Sequence, residues 1–244
     1  MPEAAPYGSW RSPITAAAIA AGEVAIAQPE IVGNDVYWLE GKPLEGGRVV
    51  VARQSADGSR EELTPSPYYV RTRAHEYGGG AYAVHGGTVF FSNFVDQRLH
   101  RQDGGAAPWA ITPEPSVPAG IRYADVCVSA DGRWLICVRE RHVSDGPDAE
   151  NELVVLPTDE AAEARIIASG RDFYSSPRIS PDGRRLAWLS WDHPNMPWDG
   201  TELWVADLAS DGSLSNEHQV AGGVDESIFQ PEWSPSGELH FASD

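Results

Sequence analysis

Ser180-Pro181-Asp182-Gly183-Arg184-Arg185-Leu186-Ala187-Trp188-Leu189 is a turn followed by an apolar strand, and the chain repeats it. Ser129-Ala130-Asp131-Gly132-Arg133-Trp134-Leu135-Ile136-Cys137-Val138 stands 51 residues earlier, and Ser234-Pro235-Ser236-Gly237-Glu238-Leu239-His240-Phe241 stands 54 residues later. Proline presets φ and glycine accepts the positive φ that closes a tight hairpin. A turn-plus-strand unit recurring at a period near 50 residues is the signature of a radial β-repeat.

Working outward from Ser180, the unit reads as four strands: Tyr174–Ile179, Arg185–Trp191, Glu202–Leu208 and His218–Ala221. The preceding unit has the same plan, at Tyr123–Val128, Trp134–Glu140, Glu152–Leu156 and Arg165–Ala168. Two units come first, one at Ala25–Ile31, Asp35–Glu40, Arg48–Arg53 and Glu61–Thr64, and a looser one at Gly80–Val84, Thr88–Ser92, Arg98–Arg101 and Trp109–Thr112. They end alike in Leu63-Thr64-Pro65 and Ile111-Thr112-Pro113. The apolar runs are nearly continuous, as expected of strands covered on both faces. The expected fold class is all-β: a β-propeller of four-stranded blades, with blades at about 25–64, 77–112, 122–168, 173–221 and 227–244 behind an N-terminal segment 1–24. A β-sandwich also gives short strands and frequent turns, but gives no reason for the fixed period. Four and a half blades make an incomplete ring with an exposed edge, so the expectation is the N-terminal piece of a longer protein. The alternative is a five-blade toroid closed by the N-terminal strand.

The formal charge of −18 argues against nucleic acid, which is bound by clustered Lys and Arg. No run approaches the ~18 apolar residues of a membrane span, and Met1–Arg11 lacks the basic and apolar regions of a signal peptide. Cys127 and Cys137 flank one hairpin turn and are read as buried free thiols, which fits a cytoplasmic protein.

Four further phrases carry a family resemblance: Tyr7-Gly8-Ser9-Trp10-Arg11-Ser12-Pro13-Ile14-Thr15, Asp35-Val36-Tyr37-Trp38-Leu39-Glu40, His75-Glu76-Tyr77-Gly78-Gly79-Gly80 and Trp191-Asp192-His193-Pro194-Asn195-Met196-Pro197-Trp198-Asp199. With the blades, they resemble the N-terminal propeller of a prolyl oligopeptidase-family serine peptidase. The nearest branch is the bacterial dipeptidyl aminopeptidase/acylaminoacyl-peptidase-like group, which includes puromycin-hydrolysing aminopeptidases. The resemblance implies a following α/β-hydrolase domain with a Ser-Asp-His triad and a Gly-x-Ser-x-Gly elbow. No such elbow occurs in this chain, so no catalytic residue is assigned and the chain by itself is expected to be inactive.

Propellers place function where loops lead into the inner strands. Those lead-ins pair a charge with an aromatic: Glu76 and Tyr77, Arg122 and Tyr123, Asp172 and Tyr174, Glu226 and Phe229. The resemblance implies that propeller carboxylates hold a substrate's free ammonium, so Glu76 and Glu226 are the candidate amine anchors, with Tyr77 and Phe229 as walls. Their plainer reading is solvated or structural channel residues. No metal-binding spacing or phosphate loop is present; the three glycines read as a close backbone approach at an inner strand. Neither metal nor cofactor is expected. The expected partners are a short peptide or aminoacyl substrate and the chain's own C-terminal hydrolase domain. Two other readings stand beside this one: a non-catalytic propeller scaffold for protein partners, and a stand-alone propeller enzyme with a metal on its axis.

Overall fold

The computed structural model describes residues 6–9, 14–142 and 149–244. Trp10–Pro13 of the first family-like phrase lie outside them. A short helix, α1 (Ala16–Gly22), starts where the Thr15 hydroxyl accepts from Ala18 N at 3.0 Å. Among the described residues all remaining regular structure but one 3₁₀ turn is strand, and no helix is long and apolar enough to cross a membrane.

Four antiparallel meanders of four strands follow one another. Blade 1 is β1 (Ile26–Val32), β2 (Asp35–Lys42), β3 (Arg48–Gln54) and β4 (Arg60–Glu62). Blade 2 is β5 (Tyr82–His85), β6 (Thr88–Ser92), β7 (Leu99–Asp103) and β8 (Trp109–Ala110). Blade 3 is β9 (Ile121–Val128), β10 (Trp134–Arg141), β11 (Glu150–Pro157) and β12 (Arg165–Ala168). Blade 4 is β13 (Phe173–Ile179), β14 (Arg185–Trp191), β15 (Glu202–Leu208) and β16 (Leu214–Gly222). A two-stranded fifth unit holds β17 (Ile228–Trp233) and β18 (Leu239–Ser243). The architecture is an incomplete β-propeller, as the repeat predicts. Several strand ends lie one or two residues from the expected ones, and two differences have a clear cause. β5 starts at Tyr82, not Gly80, because Gly80 bonds to blade 3 instead of to β6. β16 begins at Leu214, well before His218, over exposed polar residues that give no apolar signal.

Each of the three repeated turns is held by its own side chains. Ser180 Oγ donates to Asp182 Oδ1 (2.6 Å) and accepts from Arg185 N (2.9 Å), and Asp182 Oδ1 also accepts from Arg184 N (3.1 Å). Ser129, Asp131, Arg133 and Trp134 repeat this set. The third copy is one residue tighter, with Glu238 N on Ser234 Oγ at 3.1 Å. Gly132, Gly183 and Gly237 all take φ between 71° and 83°.

Alternation along each strand sends neighbouring residues into different blade joints. In β10, Leu135 and Cys137 pack against blade 2, while Ile136 and Val138 pack against blade 4. In β14, Leu186 and Trp188 face blade 3, while Ala187 and Leu189 face blade 5. One apolar cluster therefore fills each of the four joints, and this explains the continuous apolar runs. Cys127 and Cys137 are free thiols; burial pushes Cys127 up to about 12, which makes it a poor nucleophile.

Blades 1 and 2 close their outer edges alike. Thr64 Oγ1 accepts from Val51 N (2.9 Å) and Thr112 Oγ1 from Leu99 N (3.1 Å), both hydroxyls fully buried.

The first strands lie innermost, β1 against β5, β5 against β9, β9 against β13 and β13 against β17. Four of them carry a non-glycine residue in the left-handed region beside a register shift: Gln28 (φ 50°), Asp125 (54°), Ser176 (53°) and Gln230 (51°). These bulges kink the inner strands at the axis.

Candidate functional site at one mouth of the propeller

In an antiparallel meander the lead-in to the first strand and the crossover from second to third strand share one end. The hairpin turns share the other. The four family-like or charge-bearing stretches at 75–80, 122, 191–199 and 226–229 therefore gather at or near one mouth, opposite the Ser-x-Asp-Gly turns.

Blade 2 is entered through His75 and Glu76, both left-handed (φ 55° and 63°). Glu76 is not an unengaged carboxylate: its Oε1 accepts from Arg122 Nη1 at 2.6 Å. The same nitrogen donates to Glu140 Oε1 (2.9 Å) and to the Arg73 carbonyl (3.0 Å). Glu140 also accepts from His75 N (2.6 Å) and meets His142 Nε2 (2.8 Å). Arg122 and Glu140 are buried, whereas Glu76 is exposed. Arg122 holds the Glu76 carboxyl below its usual range. Glu76, Glu140 and His142 bring ligand-type atoms within 4.8 Å of one another. The guanidinium bonded to both carboxylates already supplies the positive charge there. The signal for this network was Glu140 itself, a charge ending the apolar run of β10.

Tyr77 is 60% exposed and joins an aromatic cluster. The His75 ring lies 5.6 Å from Tyr77, 5.7 Å from Phe173 and 6.0 Å from Trp191, and Phe173 stacks on Trp191 at 5.2 Å. The two most specific phrases of the sequence thus meet in space. Burial lowers the His75 pKa against the pull of Glu140 and Asp125. Beside Tyr77, between blades 1 and 2, a pocket of about 180 Å³ is lined by Leu39, Val49, Val70 and Arg71 among others.

Glu226 leads into blade 5. Its carbonyl accepts from Thr201 N (3.0 Å), and among the described residues its carboxylate meets only a neutral donor, Ser243 Oγ (2.6 Å). Phe229 is 64% exposed. Among the described residues no hydrogen bond, ion pair or ring contact joins this pair to Glu76 and Tyr77. Tyr123 and Tyr174, the aromatics of the other two lead-ins, are buried in blade joints, because their positions in β9 and β13 point between blades.

The glycines behave as expected of a close approach. A Cβ on Gly80 would sit 2.8 Å from Asp125 Oδ1, which accepts from Gly80 N at 2.5 Å. The 192–199 loop is anchored on the blade 4–5 connection by Asn195 Nδ2 to Val224 O (2.8 Å) and Ser227 Oγ to Pro197 O (2.9 Å). Trp191 at its base is buried, and Trp198 at its tip is 65% exposed.

Fold and mouth define a propeller domain that presents charged and aromatic groups at one end of its axis. No family model and no curated protein matches the chain. Among solved structures, a Mycobacterium tuberculosis puromycin-hydrolyzing peptidase is 44% identical, with a TM-score of 0.88 over 98% of this chain. A puromycin hydrolase is 38% identical with a TM-score of 0.89, and a mutant of puromycin hydrolase complexed with PGG gives 0.90 at 38% identity. The chain spans 38–39% of the length of these relatives. A prolyl endopeptidase, 12% identical with a TM-score of 0.58, shares the fold. The chain is homologous to the N-terminal domain of puromycin-hydrolysing peptidases.

Proposed function

We propose that this chain is the substrate-gating propeller of a cytoplasmic serine peptidase that hydrolyses short peptides or aminoacyl amides. The triad stands in a C-terminal hydrolase domain of the complete protein. The observation that carries this reading is the 44% identity to a puromycin-hydrolyzing peptidase over 98% of the chain. In this reading the mouth holds the substrate's ammonium. Glu226 is the better anchor, since its carboxylate is not neutralised, whereas Glu76 is already paired with Arg122. Tyr77, at the rim of the apolar pocket, and Phe229 wall the substrate. Acyl transfer through a serine ester is the chemistry.

The test is the protein made from its complete reading frame, assayed on an aminoacyl amide and on its N-blocked form. A lost charge-assisted hydrogen bond costs about 1.5–3 kcal/mol. Glu226→Gln should therefore raise KM for the free-amine substrate by roughly 10- to 100-fold, with little effect on the blocked one. Glu76→Gln should do less. Residues 1–244 alone should hydrolyse neither. A complete protein without hydrolytic activity sinks the reading. The scaffold reading then takes over; the exposed Met196, Trp198 and Val224 around the anchored loop favour it as a docking patch.

A further inference from the structure

The joint between blades 1 and 2 has a clasp. The Gln28 side chain donates through Nε2 to Gly79 O (3.1 Å) and accepts through Oε1 from Ala81 N (3.1 Å). One primary amide thus binds a carbonyl and the N–H two residues further along the neighbouring inner strand, as a paired strand would. The left-handed backbone at Gln28 turns the side chain across the joint, and the Gln28 carbonyl accepts from Tyr82 Oη at 2.7 Å. Blade 3 repeats the device with a different residue. Asp125, also left-handed, accepts through Oδ2 from Ser176 N of blade 4 at 2.9 Å.

The inner strand of blade 5 carries the same three residues as that of blade 1. Gln28-Pro29-Glu30 and Gln230-Pro231-Glu232 match residue for residue. The left-handed φ is 50° in one and 51° in the other. Pairing slips at the same place, between Ala27 and Glu30 and between Phe229 and Glu232. Both glutamines are exposed, but the Gln28 side chain is engaged, whereas that of Gln230 makes no hydrogen bond among the described residues. The apolar side chains beside it, Phe229 and Phe241, are exposed too.

We infer that Gln230 is a clasp for the inner strand of a further β-blade, gripping one carbonyl and the N–H two residues on. The occupant is defined by the four joints already formed: a twisted, four-stranded blade with an apolar flank and small residues where its inner strand crosses the axis, as Gly79, Gly80 and Ala81 do in blade 2. A second copy of this chain is a poor occupant, because each copy carries a formal charge of −18. The inference rests on the joints alone and holds whether or not the complete protein is a peptidase.

Two proteins and two variants test it: residues 1–244 and the product of the complete reading frame, each with Gln28→Ala and Gln230→Ala. Gln28→Ala should lower the melting temperature of 1–244 by about 2–4 °C for each kcal/mol of hydrogen bonding lost, and that of the longer protein by less. Gln230→Ala should leave 1–244 unchanged and lower the longer protein to a similar degree. A crystal structure of the longer protein should place the Gln230 amide on residues j and j+2 of a neighbouring inner strand. The inference is overturned if Gln230→Ala leaves the longer protein unchanged while Gln28→Ala lowers it. It is also overturned if that structure shows Gln230 in solvent, or if the reading frame adds no blade.

Discussion

Glu140 is the residue on which the mouth most depends. It is buried, and it is the common partner of Arg122, His142 and the His75 backbone. Removing one member of a buried ion pair leaves an uncompensated charge and costs about 3–5 kcal/mol. Glu140→Ala should lower the unfolding free energy of 1–244 by that amount in urea titration. Glu76→Ala, at the exposed end of the network, should cost at most about 1 kcal/mol. A second residue sets a pH dependence. Burial, with Glu232 nearby, raises the Glu30 carboxyl from 4.5 to about 7, against the opposing pull of Arg178. The folded chain thus keeps a proton there that the unfolded chain releases near pH 4.5. The stability from Glu30 is complete below pH 4.5 and is lost as pH rises through 7. Glu30→Gln should match the parent near pH 4.5 and exceed it at pH 8 by up to about 2–3 kcal/mol. His75 slopes the other way: its lowered pKa gives stability that is present above pH 6.5 and lost on acidification. His75→Gln should flatten the acid side of the same titration.

At the scale of elements, the decisive contacts are those that let inner strands meet. Gly80→Ala would drive a Cβ to 2.8 Å from Asp125 Oδ1 and 3.3 Å from Asp125 Cα. Overpacking of this kind costs about 1–3 kcal/mol. Asp125→Ala should relieve the clash with its side chain, so the double variant should be less than additive in a double-mutant cycle. Much of this level was legible in the sequence. The Ser-x-Asp-Gly turns, the apolar strands after them and the glycine approach all follow from local rules. Gln28-Pro29-Glu30 was legible as well, since it recurs at Gln230, but a three-residue match 202 positions apart is lost behind the stronger turn repeat. The Arg122–Glu140 pairing is a cross-strand pair of the β9–β10 hairpin, but it was not legible. The bulge at Asp125 shifts the register by one, and counting outward from the Asp131-Gly132 turn places Tyr123 opposite Glu140 instead. Tyr123 and Tyr174 stand beside a charge as mouth residues do, yet strand alternation turns them into the blade joints.

For the whole molecule, charge is the governing quantity. With −18 on 244 residues, self-repulsion opposes the compact state. Screening shortens its range to about 8 Å at 0.15 M salt. The urea midpoint of 1–244 should therefore rise between 20 mM and 500 mM NaCl, although the surface pairs such as Arg178–Glu232 weaken. A midpoint that falls would mean that ion pairs outweigh net repulsion. The placement of the hairpin turns has a practical side. Arg184 and Asp211 are exposed on the end of the propeller away from Glu76, Tyr77 and Trp198. A fluorophore or surface tether attached at Arg184 would report on or immobilise the protein while leaving the opposite rim open to solution. That separation makes the molecule suited to single-particle and sensor formats without redesign of its working end.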